Sequence, residues 1–144
     1  MLRYLFARGN LHLALLTLRL WTGAMMLYHG GLKLFGGMDR FLETVTVKLG
    51  LPAPLGWAAA LTEFVGGALL VFGFLVRPAA LATAVVMAVA AFGAHASDPW
   101  SRKEFALCYF VLSIAIAIAG AGDYSLDARL RQKATYRYQT TDAP

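Results

Sequence analysis

The sequence predicts an all-α membrane protein built as a four-helix transmembrane bundle. Of its 144 residues, 59% are hydrophobic and only 15% are charged, whereas soluble domains average about 45–50% apolar and about 25% charged residues. The apolar residues fall into segments close to the roughly 20 residues that cross a bilayer core. No strand-like alternation persists between turn signals, which disfavours a transmembrane barrel.

The expected spans are about 11–34, 55–76, 78–96 and 104–121. Gly36-Gly37 is expected to close the first span, and the short link at Arg77-Pro78 predicts that spans two and three form an antiparallel hairpin. These four spans and their connections make one domain over residues 1–134.

Two shorter helices are expected outside the spans. Residues Asp39 to Leu49 carry an apolar stripe, which predicts a short amphipathic helix between spans one and two, capped by Asp39 and lying on the membrane surface or across the mouth of the bundle. After span four, Ser125 is suited to cap a short basic helix. Residues 135–144 are expected to form a flexible tail.

Basic residues near the span ends predict the orientation, because cytoplasmic loops are enriched in Lys and Arg. One side carries Arg3, Arg8, Arg77, Arg129, Arg131, Lys133 and Arg137, and the other carries Lys33, Arg40, Lys48, Arg102 and Lys103. This bias predicts a multi-pass membrane protein with both termini in the cytoplasm. The net charge of +5 is therefore attributed to membrane orientation rather than to a nucleic-acid partner.

A few ionisable side chains remain inside the spans, where their cost makes a functional role the first hypothesis. Each shares a helical face with small residues, so each is expected to point into the bundle. The candidates for proton transfer are Glu63, His29, His95 and Glu104, and the candidates for cofactor binding are Arg19, Lys33 and His29.

Structural roles for the same residues stay open. Arg19 and Glu63 are suited to one ion pair that fixes helix register. Lys33 and Glu104 lie near span ends, where long side chains reach the interface at little cost. The histidines are also suited to satisfy a carbonyl at a helix end. No metal site is predicted, because no close-spaced ligand pair is present and Cys108 is the single cysteine.

The order and spacing of these residues resemble those of the DoxX family of small bacterial membrane proteins, over roughly residues 12 to 130. The resemblance rests on Arg19, His29-Gly30, Lys33, Pro52, Glu63, Gly66-Gly67, Leu70, Gly73, Arg77, Ala79-Ala80, Met87, His95, Glu104, Gly120, Gly122 and Ser125-Leu126-Asp127. It implies a four-span inner-membrane bundle. Family members include a quinone-linked subunit of thiosulfate oxidation and proteins tied to quinone, catechol or oxidative stress.

Two functions follow as expectations. The first is a quinone-interacting subunit of a membrane oxidoreductase system linked to sulfur or oxidative and quinone-stress chemistry. A protein partner would supply its electrons, since the chain has no haem, flavin or iron–sulfur signature. The second is a non-enzymatic membrane partner or assembly factor that recruits another complex through the surface helix or the basic helix. A homo-oligomer stays open, and the absence of an inverted repeat disfavours a small transporter.

Overall fold

A computed structural model describes residues 10–141, with side chains up to Tyr136, and all regular structure within that range is helical. The described α-helices are α1 (Leu11–Leu32), α2 (Met38–Glu43), α3 (Ala53–Phe72), α4 (Val76–Val89), α5 (Trp100–Ala119) and α6 (Leu126–Thr141). Wider π-helical turns extend α1, α2 and α4 over Lys33–Gly37, Thr44–Lys48 and Ala90–Ala94. Arg3, Arg8, the Arg137 side chain and the last three residues of the expected tail lie outside the described part.

Among the described residues, three helical runs are long and apolar enough to cross a membrane, namely Leu11–Lys48, Ala53–Phe72 and Val76–Ala94. They correspond to the first three expected spans. The fourth expected span is also a helix, but α5 begins at Trp100 and carries Arg102, Lys103 and Glu104 in its first turns. Because of these charges, α5, although long enough, is not apolar enough to be placed with the other three helices as a membrane span by composition.

The chain after α1 corrects one expectation. Gly36-Gly37 does not end the first helix, because the helical run continues through the π turn into α2. Asp39 does not cap α2 either, since the capping position is Gly37 and no side chain caps it. A glycine inside a helix costs only about 1 kcal/mol. Continuation also buries Met38 and Val45, which offsets that cost.

Glycines set the close crossing of α1 and α3. A Cβ added to Gly30 would lie 2.4 Å from the backbone nitrogen of Phe64, and one added to Gly67 would lie 2.5 Å from that of Leu27. Only glycine permits such contact between helix backbones. The small-residue faces predicted from the sequence are therefore packing faces, and they fix the register of α1 against α3.

Arg19 links helices at the end of the bundle where the chain passes from α5 to α6. Its guanidinium is 2% exposed and donates hydrogen bonds to the carbonyls of Ala121 and Tyr124, in the link between α5 and α6. Gly73 makes room for it, since a Cβ there would lie 2.8 Å from the Arg19 Cζ, and its φ of +71° suits glycine.

The start of α6 is capped as predicted. The Ser125 hydroxyl oxygen accepts a hydrogen bond from the backbone N–H of Ala128 at 3.1 Å. The helix extends to Thr141, so the domain boundary expected at residue 134 does not coincide with the end of this helix. Residues 129–136 are all exposed, so α6 leaves the bundle beyond Ala128.

Candidate functional site

A partly buried ion pair joins α3 to the π turn that extends α1. The Lys33 ammonium lies 2.5 Å from both carboxylate oxygens of Glu63. Glu63 is 2% exposed, whereas the Lys33 side chain is 25% exposed. The pair follows from the glycine crossing, because Gly30 rests on Phe64 and Lys33 lies about one turn beyond Gly30, beside Glu63.

This pairing corrects the expectation that Arg19 partners Glu63. Arg19 is instead bound to carbonyls at the other end of the bundle, as described above. Among the residues expected to bind a cofactor, Lys33 lies at the ion pair and His29 lines the cavity beside it, whereas Arg19 lies apart. The position of Arg19 is that of a structural anchor.

A small polar cavity lies on one side of the ion pair. It has a volume of about 190 Å³ and is lined by Lys33, Glu63, His29, His95 and Arg102, together with Met26, Met87 and Tyr109. The structure therefore gathers four of the residues singled out in the sequence. Aromatic contacts help to hold His29, whose ring packs edge-on against Phe105 at 5.8 Å between centroids.

Glu104 does not join this cavity. It is exposed, and the α5 residues that line the cavity are Arg102, Phe105, Ala106 and Tyr109. Two residues turn a helix by about 200°, so Glu104 and Arg102 point in nearly opposite directions. Which residue of this charged run lines the cavity depends on which face of α5 meets α1 and α4, and the sequence does not give that face.

Asp98 connects His95, which lines this cavity, to Lys48 of the surface helix (α2 and the π turn Thr44–Lys48). The sequence pattern did not single out this residue. Its carboxylate lies 2.7 Å from the His95 Nδ1 and 3.6 Å from the Lys48 Nζ. The hydrogen bond with His95 lowers the pKa of Asp98 below its ordinary value, and the charges of Lys48 and Arg102 act in the same direction. The i,i+3 spacing of His95 and Asp98 was the available signal.

A larger apolar chamber lies on the other side of the ion pair. Its volume is about 480 Å³, and its walls come from the surface helix, α3 and α4, including Phe41, Val45, Leu49, Ala59, Val86 and Val89. Lys33 and Glu63 also line this chamber, so the ion pair stands in a wall that the two cavities share.

Two features of the chamber bear on what it can hold. The Lys33 Nζ lies 4.3 Å from the centre of the Phe41 ring, so the cation is held partly by an aromatic face. Leu55, Val85 and Val89 line the chamber and are also at least 43% exposed, so it opens to the outer surface of the bundle. In a bilayer, such an opening between α3 and α4 would face lipid.

The arrangement places a hydrogen-bond donor and a carboxylate at the end of an apolar chamber. Lys33 can donate to an oxygen atom in the chamber, and Glu63 can exchange a proton with groups in the polar cavity. A few polar groups at the wall of an apolar cavity are typical of small-molecule sites. The fold and site define an all-helical membrane protein with a two-chamber site around one ion pair.

The chain belongs to the DoxX family, whose model matches residues 14–96. That stretch contains Lys33, Glu63, His29 and His95 but not Arg102. Among curated proteins, it is similar to an "Uncharacterized protein" of Haemophilus influenzae, with 29% identity over 83% of this chain and 84% of that one. It is also similar to a Bacillus subtilis protein named "Putative oxidoreductase CatD", with 29% identity over 78% of this chain and 83% of that one. No solved structure matches the chain.

Proposed function

We propose that this protein binds a quinone in the apolar chamber and acts as the quinone-interacting subunit of a membrane oxidoreductase. The observation that carries the proposal is the Lys33–Glu63 ion pair in the wall between an apolar chamber and a polar cavity. The word oxidoreductase in the name of the B. subtilis relative supports the same class of reaction. The linked chemistry would be that of sulfur oxidation or of oxidative and quinone stress.

The chamber fits a quinone by size, lining and access. Its volume of about 480 Å³ lies within the range of about 300–1,000 Å³ that is usual for small-molecule sites. The opening beside Leu55, Val85 and Val89 would admit a lipid-soluble molecule from the bilayer. A bound quinone would supply two-electron, two-proton redox chemistry at the end of the chamber.

The residues of the chain would position the ring and move protons. Lys33 would donate a hydrogen bond to a ring oxygen, and Phe41 would pack against the ring. Glu63 would hold or release a proton, exchanging it with His29 in the polar cavity. His95 and Asp98 would connect that cavity to the surface, since they are hydrogen-bonded at its mouth.

The electrons would come from a protein partner, because the sequence shows no motif for a redox group of its own. We also propose that α5 completes a four-helix transmembrane bundle in the inner (plasma) membrane, with both termini in the cytoplasm. The apolar run of α5 from Phe105 to Ala119 supports this, and Arg102 to Glu104 would then lie at the membrane surface.

Quinone binding by variants with a filled chamber tests the proposal. Ala59→Phe would place a ring in the chamber and leave the ion pair intact. Leu61→Phe is the control, because Leu61 lies on the same helix outside the chamber and is 47% exposed. Binding of ubiquinone or menaquinone to the purified protein should fall at least about tenfold in the first variant and stay unchanged in the second. Equal affinity in both variants would remove the chamber as the binding site.

A second function is favoured by the exposed helix α6, which supports a non-enzymatic partner or assembly factor. All residues from Arg129 to Tyr136 are exposed, and the helix carries Arg129, Arg131 and Lys133. A basic helix outside the bundle is suited to dock an acidic protein surface. If Arg129→Glu with Lys133→Glu abolishes the protein's function in cells while Ala59→Phe retains it, this second function replaces the first.

A further inference from the structure

A third cavity lies at the Arg19 end of the bundle, and the proposed function does not use it. It has a volume of about 570 Å³ and lies where the starts of α1 and α4 meet the end of α5 and the start of α6. Its polar lining consists of His12, Arg77, Asp123, Asp127 and Arg131. The charges of these groups are not all available to a ligand.

Both acids in this cavity already have partners. The two carboxylate oxygens of Asp127 accept the backbone N–H groups of Leu75 and Val76, at 2.9 and 3.0 Å, and so cap the start of α4. The charge of Asp127 also interacts with that of Arg19. The Asp123 carboxylate lies 3.3 Å from the His12 Nε2.

Unlike the two acids, the two arginines of this cavity, Arg77 and Arg131, have no hydrogen-bond or ion-pair partner for their guanidinium groups within the described part of the chain. Arg77 lies over Gly120, where even a Cβ would come within 3.3 Å of its Nε. Two guanidinium groups without a hydrogen-bond or ion-pair partner among the described residues therefore line one cavity, in which both acids already have partners.

We propose that this cavity binds the phosphate group of an anionic phospholipid, held by Arg77 and Arg131. Guanidinium groups bind phosphate through paired, charge-assisted hydrogen bonds. Basic pockets between membrane helices on the cytoplasmic side are suited to anionic headgroups. A lipid is favoured over free phosphate because an apolar side chain flanks the cavity: Leu11 lines it and is 63% exposed.

Native mass spectrometry of the full-length protein in detergent tests this site. The probes are phosphatidylglycerol and phosphatidylcholine with identical acyl chains, and inorganic phosphate alone. The unmodified protein should bind phosphatidylglycerol about thirtyfold more tightly than phosphatidylcholine, because each basic side chain near an anionic headgroup contributes a factor of about five.

Two matched double variants separate the site from general charge. Arg77→Gln with Arg131→Gln should abolish the preference for phosphatidylglycerol. Arg40→Gln with Arg129→Gln removes the same charge from exposed positions outside the cavity and should keep the preference. If the first double variant does not fold, Arg77→Lys with Arg131→Lys replaces it and should weaken the preference, since lysine lacks the bidentate fork.

The outcomes that would overturn the proposal are distinct. Equal binding of the two lipids by the unmodified protein would mean that the cavity does not recognise an anionic headgroup. Equal loss of preference in both glutamine double variants would assign the effect to net charge. Binding of inorganic phosphate that phosphatidylglycerol does not displace would identify a site for a soluble anion. None of these results depends on whether the apolar chamber binds a quinone.

Discussion

Removing either partner of the Lys33–Glu63 pair should destabilise the protein, and by unequal amounts. Lys33→Met leaves behind a carboxylate that is 2% exposed, whereas Glu63→Gln leaves a lysine that is 25% exposed and can reach water. Stranding a buried charge costs about 3–5 kcal/mol, so Lys33→Met should cost about that much. Glu63→Gln should cost about 1–2 kcal/mol, since the remaining cation is partly solvated.

The double variant supplies the decisive comparison. Lys33→Met with Glu63→Gln leaves no uncompensated charge, so its stability should lie closer to the unmodified protein than that of Lys33→Met alone, by about 2 kcal/mol or more. The assay is reversible unfolding of purified protein in mixed micelles, followed by circular dichroism. The reasoning is refuted if Lys33→Met changes the free energy of unfolding by less than Glu63→Gln does, or if the two effects simply add.

Three further predictions concern packing, anchoring and pH. Gly30→Ala should cost at least about 2 kcal/mol in thermal unfolding, because its Cβ would lie 2.4 Å from a backbone nitrogen of α3; Gly31→Ala, with 3.6 Å to its nearest neighbour, should be neutral or stabilising. Arg19→Lys should cost about 2 kcal/mol in the same assay, since one ammonium cannot hold both carbonyls in the guanidinium geometry; an unchanged melting temperature would contradict the anchoring role. His95 lowers the pKa of Asp98 in the folded protein, so the ionised carboxylate stabilises the fold. This contribution to the free energy of unfolding is complete above the ordinary carboxyl pKa and is lost as pH falls through the lowered pKa. The melting temperature of the unmodified protein should therefore fall in this acid range, whereas that of Asp98→Asn should not show this fall.

Helix positions could be predicted because hydropathy and turn residues report them directly. A helix lies at each expected span, three of these helices are long and apolar enough to cross a membrane among the described residues, and Ser125 caps α6 as predicted. The continuation of the helix through Gly36-Gly37 could not be predicted, because glycine at such a position usually indicates the end of a helix. Whether a helix continues through glycine depends on what the following turns bury, here Met38 and Val45.

The site was predictable as a set of residues but not as a set of contacts. His29, Lys33, Glu63 and His95 were singled out from their cost in a membrane, and all four line one cavity. The Arg19–Glu63 ion pair, one of the structural roles left open, was wrong, since depth along each helix does not give the crossing of two helices. That crossing depends on the contact of Gly30 with Phe64, which a single sequence does not reveal.

The walls of the apolar chamber could not be predicted from the sequence. Its walls combine the surface helix with α3 and α4, so it exists only when those elements are packed together. The apolar stripe containing Phe41 and Val45 predicts a helix on the membrane surface or across the mouth of the bundle. In the structure these side chains line the chamber, and Phe41 also contacts Lys33.

The central claim is that the chamber beside Lys33 and Glu63 holds a lipid-soluble quinone. Mass spectrometry of the molecules that co-purify with the gently solubilised protein tests it most directly. Ubiquinone or menaquinone should accompany the unmodified protein and Leu61→Phe in near-stoichiometric amounts and be depleted from Ala59→Phe. Recovery of no quinone with the unmodified protein, or of equal amounts with all three proteins, would contradict the claim.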